Sequence, residues 1–249
     1  RPKRSAHAYK QVWSEEGSPL AAISRRQTEA QEERLGESAI VDFAMRYGNP
    51  GIGKSIEKLI ALGCERILAA PLYPQYCAAT TASAADAVFG TLAARRSQPA
   101  LRTLPPYYDD PLHIGGLKTS VERQLAALDF EAQRLLLSFH GMPERTRQLG
   151  DPYHDQCQET ARLLSEQLSI PADIAFQSRF GRAKWPEPAT DKVLPAYPAQ
   201  GATRIAIAAP GFSADCVETV EELGIRGRET FLSAGGERFA RLDCLNDSP

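Results

Sequence analysis

The sequence predicts an α/β protein made of two doubly wound parallel-sheet lobes, Rossmann-like in their winding, with a cleft between them. Three observations predict it. Short apolar runs alternate with amphipathic stretches of helical length, the order that lays strands side by side in parallel sheets. The runs are apolar throughout instead of alternating with polar residues, as strands must be when helices cover both sheet faces. A polar break near "LDFEAQR" divides the pattern into an N-terminal lobe over residues 1–130 and a C-terminal lobe over 131–249.

In chain order, the expected strands are "AIVDFAM" (39–45), "RILAAPL" (66–72), "ALRTLP" (100–105), "RLLLSF" (134–139), "DIAFQS" (173–178) and "RIAIAAP" (204–210). Between them lie the helical patterns "SIEKLIALG", "TASAADAVFGTLAAR", "LHIGGLKTSVERQLAAL" and "YHDQCQETARLLSEQL". The Pro-rich "KWPEPATDKVLPAYP" reads as a loop feeding a short helix. Neither half repeats the other at a recognisable period, and no segment is of low complexity.

The 249 residues carry a formal net charge of −2 and no Lys/Arg block, so there is no electrostatic case for a nucleic-acid partner. No apolar run approaches the roughly 20 residues that span a bilayer. The five cysteines, Cys64, Cys77, Cys157, Cys216 and Cys244, are scattered and form no C-x-x-C pair. They read as reduced thiols of a cytosolic protein, not as a disulfide frame or a zinc site.

Gly48, Gly53, Lys54 and Ser55 fit the phosphate-loop pattern G-x-x-x-x-G-K-[ST] between an apolar run and a helical one. A working phosphate loop also needs a second strand ending in Asp to hold magnesium. The later runs end instead at Pro71, Ser138, Gln177 and Pro210, and Arg46 and Tyr47 intrude before the first glycine. An ordinary strand-to-helix turn is the preferred reading, with glycines for the bend and Pro50 stiffening it. No nucleotide site is expected.

Ligands of open parallel sheets bind beyond the carboxyl ends of the strands. Those ends, "RYGNP", "PLYPQY", "SFHGMPERT", "FQSRFGR" and "APGFSADCVE", are rich in aromatics, His, Arg and Gly. His140 follows an apolar strand and precedes Gly141, a position suited to a base or a metal ligand; a core histidine bonded to a backbone carbonyl is the plain alternative. Glu218 follows another strand end. Asp215 is placed to cap the helix there, which would set Glu218, Glu221 and Glu222 on one side at i, i+3 and i+4; a solvated acidic first turn is the plain alternative. A carboxylate facing His140 would make an open oxygen/nitrogen site for a divalent metal in transit.

The segments "AMRYGNP", "PLYPQY...TT.S", "SFHGMPERT", "GDPY", "FQSRFGR..W" and "PGFSADCVETVEEL" resemble, in order and over essentially the whole chain, the signature segments of bacterial ferrochelatases. The likeness extends from "KRSAHAYKQVWSEEGSPL" to "LNDSP". It implies a chelatase-type fold and insertion of ferrous iron into protoporphyrin IX, the last step of haem synthesis. Iron is then a substrate and no cofactor is required. By the same resemblance His140 and Glu218 match the family's essential histidine and glutamate, serving catalysis and the metal. Trp185, Arg46, Tyr76 and Ser83 match residues bordering the tetrapyrrole pocket, and Asp215 and Glu222 a secondary metal path. The implied location is the cytoplasm, compatible with peripheral contact at a membrane surface; the motifs carry no oligomeric state.

Departures from the pattern accompany the resemblance. The family's opening strand and loop, of the "LLVNLGTP" kind, has no counterpart here, nor has its closing helix, and a fragment lacking a central strand of the first sheet is expected. Arg226 stands where many relatives have an acid, and Ala82 replaces the glycine of "TTGS". The cysteine-rich tail that holds a [2Fe–2S] cluster in some relatives is absent, so no cluster is expected. Two rivals remain open at this point: a chelatase using another tetrapyrrole or metal, and a non-catalytic tetrapyrrole-binding module.

Overall fold

Residues 2–248 are described by a computed structural model. The first half runs α1 (Pro2–Val12), α2 (Pro19–Leu35), α3 (Ile52–Ala61), β1 (Arg66–Ala69), α4 (Ser83–Ala93), β2 (Ala100–Thr103) and α5 (Pro111–Ala126). The second runs β3 (Arg134–His140), α6 (Glu144–Gln148), α7 (Tyr153–Ser165), β4 (Ala172–Gln177), α8 (Thr190–Ala196), β5 (Arg204–Ala208), α9 (Arg228–Ser233) and β6 (Arg238–Arg241). Two wide helical segments, bonded i→i+5, stand at Ala78–Ala82 and Glu218–Gly227.

The apolar run of β3, broken only by buried Ser138, lies at the middle of a parallel sheet with the order β4-β3-β5-β6. Leu135, Leu137 and Phe139 point to one face and pack on Ile114, Leu117 and Val121 of α5 and Ala161 and Leu164 of α7. Leu136 points to the other, with Ile205 and Ile207, and meets Leu194 of α8, Leu223 and Phe231. Each such side chain, fully buried, contributes about 1.5–3 kcal/mol. The expected two-faced winding is thus present. α5 precedes residue 130 in the chain, yet it packs into this second core.

From β3 the chain winds to one side for β4 and returns to the other for β5. Strand order therefore reverses between β3 and β5, and the crevice beyond their carboxyl ends is where a doubly wound sheet receives a ligand. His140 closes β3, and residues 209–217 leave β5 at the same end.

The first sheet has two parallel strands, β1 and β2, with Arg66 opposite Ala100. Its core is small: Ile56, Ile67, Val88 and Leu92. The expected strand 39–45 is not one; Met45 makes a single bridge to Gly51, and the Phe43 carbonyl accepts from Ser55 Oγ at 3.0 Å. An apolar run becomes a strand only where a neighbouring strand accepts its hydrogen bonds, and among the described residues none lies beside this one. The opposite error concerns β6, an edge strand with arginine at both ends that the apolar criterion passed over.

In the would-be phosphate loop, Gly53, Lys54 and Ser55 lie inside α3, whose N-cap is Gly51. Ser55 is buried with its hydroxyl spent on Phe43, so the group that would meet magnesium is already committed. Among the described residues no helix is long and apolar enough to cross a membrane. The five cysteines are free thiols; Cys77, Cys157, Cys216 and Cys244 are buried, and burial raises the pKa of all four.

Candidate functional site

His140 ends β3 in register with Gln177, the last residue of β4. Its Nδ1 lies 2.7 Å from the carbonyl of Gly141. A carbonyl only accepts, so Nδ1 carries the hydrogen and the Nε2 lone pair is left for a proton or a metal. A backbone carbonyl thus fixes one nitrogen of this ring and leaves the other unspent by that bond. The ring of Phe212, from the loop after β5, lies 6.5 Å away.

Gly141 is required by contact. A Cβ there would fall 2.9 Å from the Gln177 carbonyl and 3.3 Å from the Trp185 ring. With none, the Gly141 amide donates to Gln177 O at 2.8 Å and Trp185 packs flush on the strand end, buried, with Phe180 4.9 Å from it. The Trp185 indole nitrogen is buried without a hydrogen-bond partner among the described residues.

Glu218 opens the wide helical segment, half-exposed, and its carbonyl accepts from Gln177 Nε2 at 3.0 Å. Gln177 thus connects the main chain of Glu218 to the strand that pairs with His140. Tyr9 of α1 lies near this end. Burial chiefly, and then the charges of Glu218 and Cys216, raise its hydroxyl pKa.

The acidic helix differs from its expected form. Glu218–Gly227 is not α-helical, so i, i+3, i+4 does not define its face. Asp215 does not cap it through backbone amides either. One carboxylate oxygen accepts from Thr219 Oγ1 and Arg241 Nη1, both at 2.7 Å. The other accepts from Asn246 Nδ2 at 2.8 Å and the Cys244 amide at 3.3 Å. Four donors on a 4%-exposed carboxylate make Asp215 a structural hub that ties helix, β6 and tail together. Glu222 pins the turn after β4, accepting from the Ser178 amide at 2.9 Å and its hydroxyl at 2.7 Å.

In the first half, Arg46 and Ser83 meet: the guanidinium Nε donates to both the carbonyl and the hydroxyl of Ser83 at 2.8 Å. Arg46 also stacks 4.6 Å over Tyr47 and forms no ion pair among the described residues. The Tyr76 amide donates to Gln156 Oε1 at 2.6 Å, and the Ala78 amide to Asp151 Oδ2 at 2.8 Å. Buried Gln75 reaches Thr160 Oγ1 at 3.0 Å. These bonds lay the 75–78 loop along α7, so the two halves meet through polar contacts near the same sheet end.

Among the described residues no three His, Cys, Asp or Glu side chains gather as a metal-holding group. Sequence reasoning passed over Gln177, Phe212 and Tyr9. The first two stood inside strand-end segments noted for other residues, and nothing local marks Tyr9.

The whole chain, residues 1–249, matches the family described as Ferrochelatase. The curated ferrochelatase of Rhizobium meliloti (strain 1021) is 48% identical over 256 residues, covering all of this chain and 76% of the relative. That of Mesorhizobium japonicum is 48% identical over 255 residues, covering all of this chain and 72% of the relative. Among solved structures, a multi-domain protein from Deinococcus radiodurans, described as structurally similar to chelatases, superposes with a TM-score of 0.60 at 12% identity. The superposition covers 93% of this chain and 49% of that one, and it speaks to the fold.

Proposed function

The chain belongs to the ferrochelatase family, and from that membership we propose that it inserts ferrous iron into protoporphyrin IX to form haem. The observation that carries the reading is the family match over residues 1–249. Iron enters as substrate, and the reading needs no nucleotide, redox cofactor or iron–sulfur cluster.

The free macrocycle holds two pyrrole N–H protons where the metal must sit. Ferrous iron enters, both protons leave, and haem results with no change of oxidation state. A protein assists by bending the ring so that nitrogen lone pairs point outward, and by offering a base. In this proposal His140 accepts a pyrrole proton at Nε2, the nitrogen left open by its bond to Gly141. Glu218 receives or passes on the metal. Trp185 lines the pocket, Tyr76 and Ser83 border it, and the Arg46 Nη atoms face a propionate while Nε stays on Ser83. Asp215 and Glu222 enter as anchors of the helix in place of a metal path, since their oxygens already serve Arg241, Asn246, Thr219 and Ser178. We also propose two lobes, 1–130 and 131–249 in chain order, with α5 of the first segment crossing to pack on the second sheet, and a cytoplasmic site of action in peripheral contact with a membrane that supplies the apolar substrate.

The test is steady-state insertion of ferrous iron or zinc into protoporphyrin IX, followed by absorbance. His140→Ala should lower the rate roughly 10²–10⁴-fold at unchanged melting temperature, the usual cost of losing a placed base. Glu218→Gln should be severely impaired as well. No insertion by the wild-type chain would reject the reaction; near-normal turnover by either variant would reject its role.

A further inference from the structure

We propose that Gln177 is a positioning residue for metal insertion, holding Glu218 at a fixed place relative to His140; the claim rests on the reaction proposed above. Gln177 is 3% exposed and uses each of its side-chain polar groups. Its Oε1 accepts from Ser138 Oγ at 2.9 Å, and its Nε2 donates to the Glu218 carbonyl at 3.0 Å. Ser138 lies on β3 two residues before His140, and is fully buried. Its single proton goes to Gln177, so Thr190 Oγ1, 2.8 Å away, is the donor to Ser138. Only an amide nitrogen can donate to a carbonyl, which fixes the orientation of the Gln177 side chain. Its main chain adds a third link, accepting from Gly141.

This is a buried polar relay, Thr190 to Ser138 to Gln177 to Glu218, set across the carboxyl end of an otherwise apolar sheet. Apolar side chains of like volume would pack there without the desolvation such groups incur. The relay does something packing cannot. It joins β3, the strand of His140, to the first residue of the wide helix through directional bonds. Glu218 is held by its own backbone, so the origin of its side chain is set against the His140 strand. An ångström of misplacement between reacting groups costs about 10²-fold in rate.

The experiment compares wild type with Gln177→Ala, Gln177→Glu and Ser138→Ala. The control, Tyr197→Phe, removes a hydroxyl bonded to Asp173 at 2.9 Å elsewhere in the same lobe. Rates, porphyrin affinity by fluorescence, and amide hydrogen exchange over 218–223 are measured on each. Gln177→Ala should lose at least about tenfold in kcat with porphyrin Kd held within about twofold, and exchange over 218–223 should quicken. Gln177→Glu keeps the size of the side chain but loses the amide donor to the Glu218 carbonyl, and should lose kcat as Gln177→Ala does. A fall in kcat at held porphyrin Kd, together with quickened exchange confined to 218–223, is the signature that a purely structural role would not produce. If Gln177→Ala fails to fold, Gln177→Glu and Ser138→Ala carry the same comparison. Unchanged kcat and exchange in the Gln177 variants, or both effects reproduced by Tyr197→Phe, would overturn the proposal. If the wild-type chain inserts no metal, the reaction falls separately, and exchange alone decides: quickened rates support the placement of Glu218 by Gln177, unchanged rates overturn it.

Discussion

Arg226 Nε sits 2.9 Å from Glu221 Oε1, five residues earlier, while its approach to Glu222, four residues earlier, is 3.9 Å. The shorter contact has the spacing of the wide helix, not of an α-helix. The arginine that departs from the family pattern is thus a clasp on the helix that begins at Glu218. Arg226→Met should destabilise the protein by about 1–2 kcal/mol. Breaking a buried pair costs roughly 3–5, reduced here because Arg226 is 42% exposed in its side chain. Arg226→Lys should not restore it, having no Nε to place. Urea unfolding gives the answer, and equal midpoints would show the clasp to be idle.

Asp215 should prove far less tolerant. Asp215→Asn takes from the part-buried Arg241 guanidinium its 2.7 Å carboxylate contact, leaving it only the exposed Asp243 as a charge partner, and turns an acceptor of the four-donor hub into a donor. The expected loss is about 2–3 kcal/mol, below the roughly 3–5 of a fully buried pair because Asp243 still faces Arg241. Gly224 belongs to the same unit, because a Cβ there would fall 2.9 Å from Arg241 Cδ. A melting temperature within a degree or two of wild type would remove Asp215 from the structural account.

Acid should expose His113. Burial lowers its pKa to about 4, partly opposed by Asp110; its ring stands edge-on to Tyr107 and its Nε2 has no hydrogen-bond partner among the described residues. The unfolded chain, with a pKa near 6.5, binds the proton first. This contribution is therefore whole above about pH 6.5 and is lost as pH falls towards 4, on the order of 3 kcal/mol in all. His113→Phe keeps the contact with Tyr107 and should flatten unfolding free energy against pH across that window. Parallel curves for variant and wild type would contradict the assignment.

Gly141→Ala should move Trp185. The added methyl can be admitted only if the indole or the Gln177 carbonyl retreats. Tryptophan emission should shift to the red and insertion should weaken, although no charged or catalytic group has been touched. An unshifted spectrum with full activity would mean that the strand end has more room than its contacts indicate.

Much of the second sheet was legible because β3, β4 and β5 carry apolar residues on both faces of their middle stretches, and that pattern has one stable use in a two-faced sheet. The run 39–45 looks the same locally and is not a strand, since pairing is a property of neighbours and not of composition. β6 is the converse, an edge whose arginines face the Asp215 hub and Asp129. The extra residue per turn of 218–227 leaves no periodic mark in ten residues, so Glu221 and Arg226 could not be paired beforehand. His140 and Glu218 stand out as candidates from the strand-end rule, and His140 does close β3. Gln177 does not stand out, because a glutamine closing a strand resembles any polar terminus until its two partners are seen.

The burial of the cysteines gives the folded chain an unforced form of chemical reserve. Ferrous iron and oxygen together generate species that attack thiolates, and four of the five thiols are held both out of reach and in the protonated, sluggish state. Only Cys64, at the end of α3 and away from the strand ends that hold the proposed chemistry, meets solvent in part. A thiol reagent therefore reads this protein as having one sulfur when native and five when unfolded, a count that turns alkylation into a gauge of intact molecules.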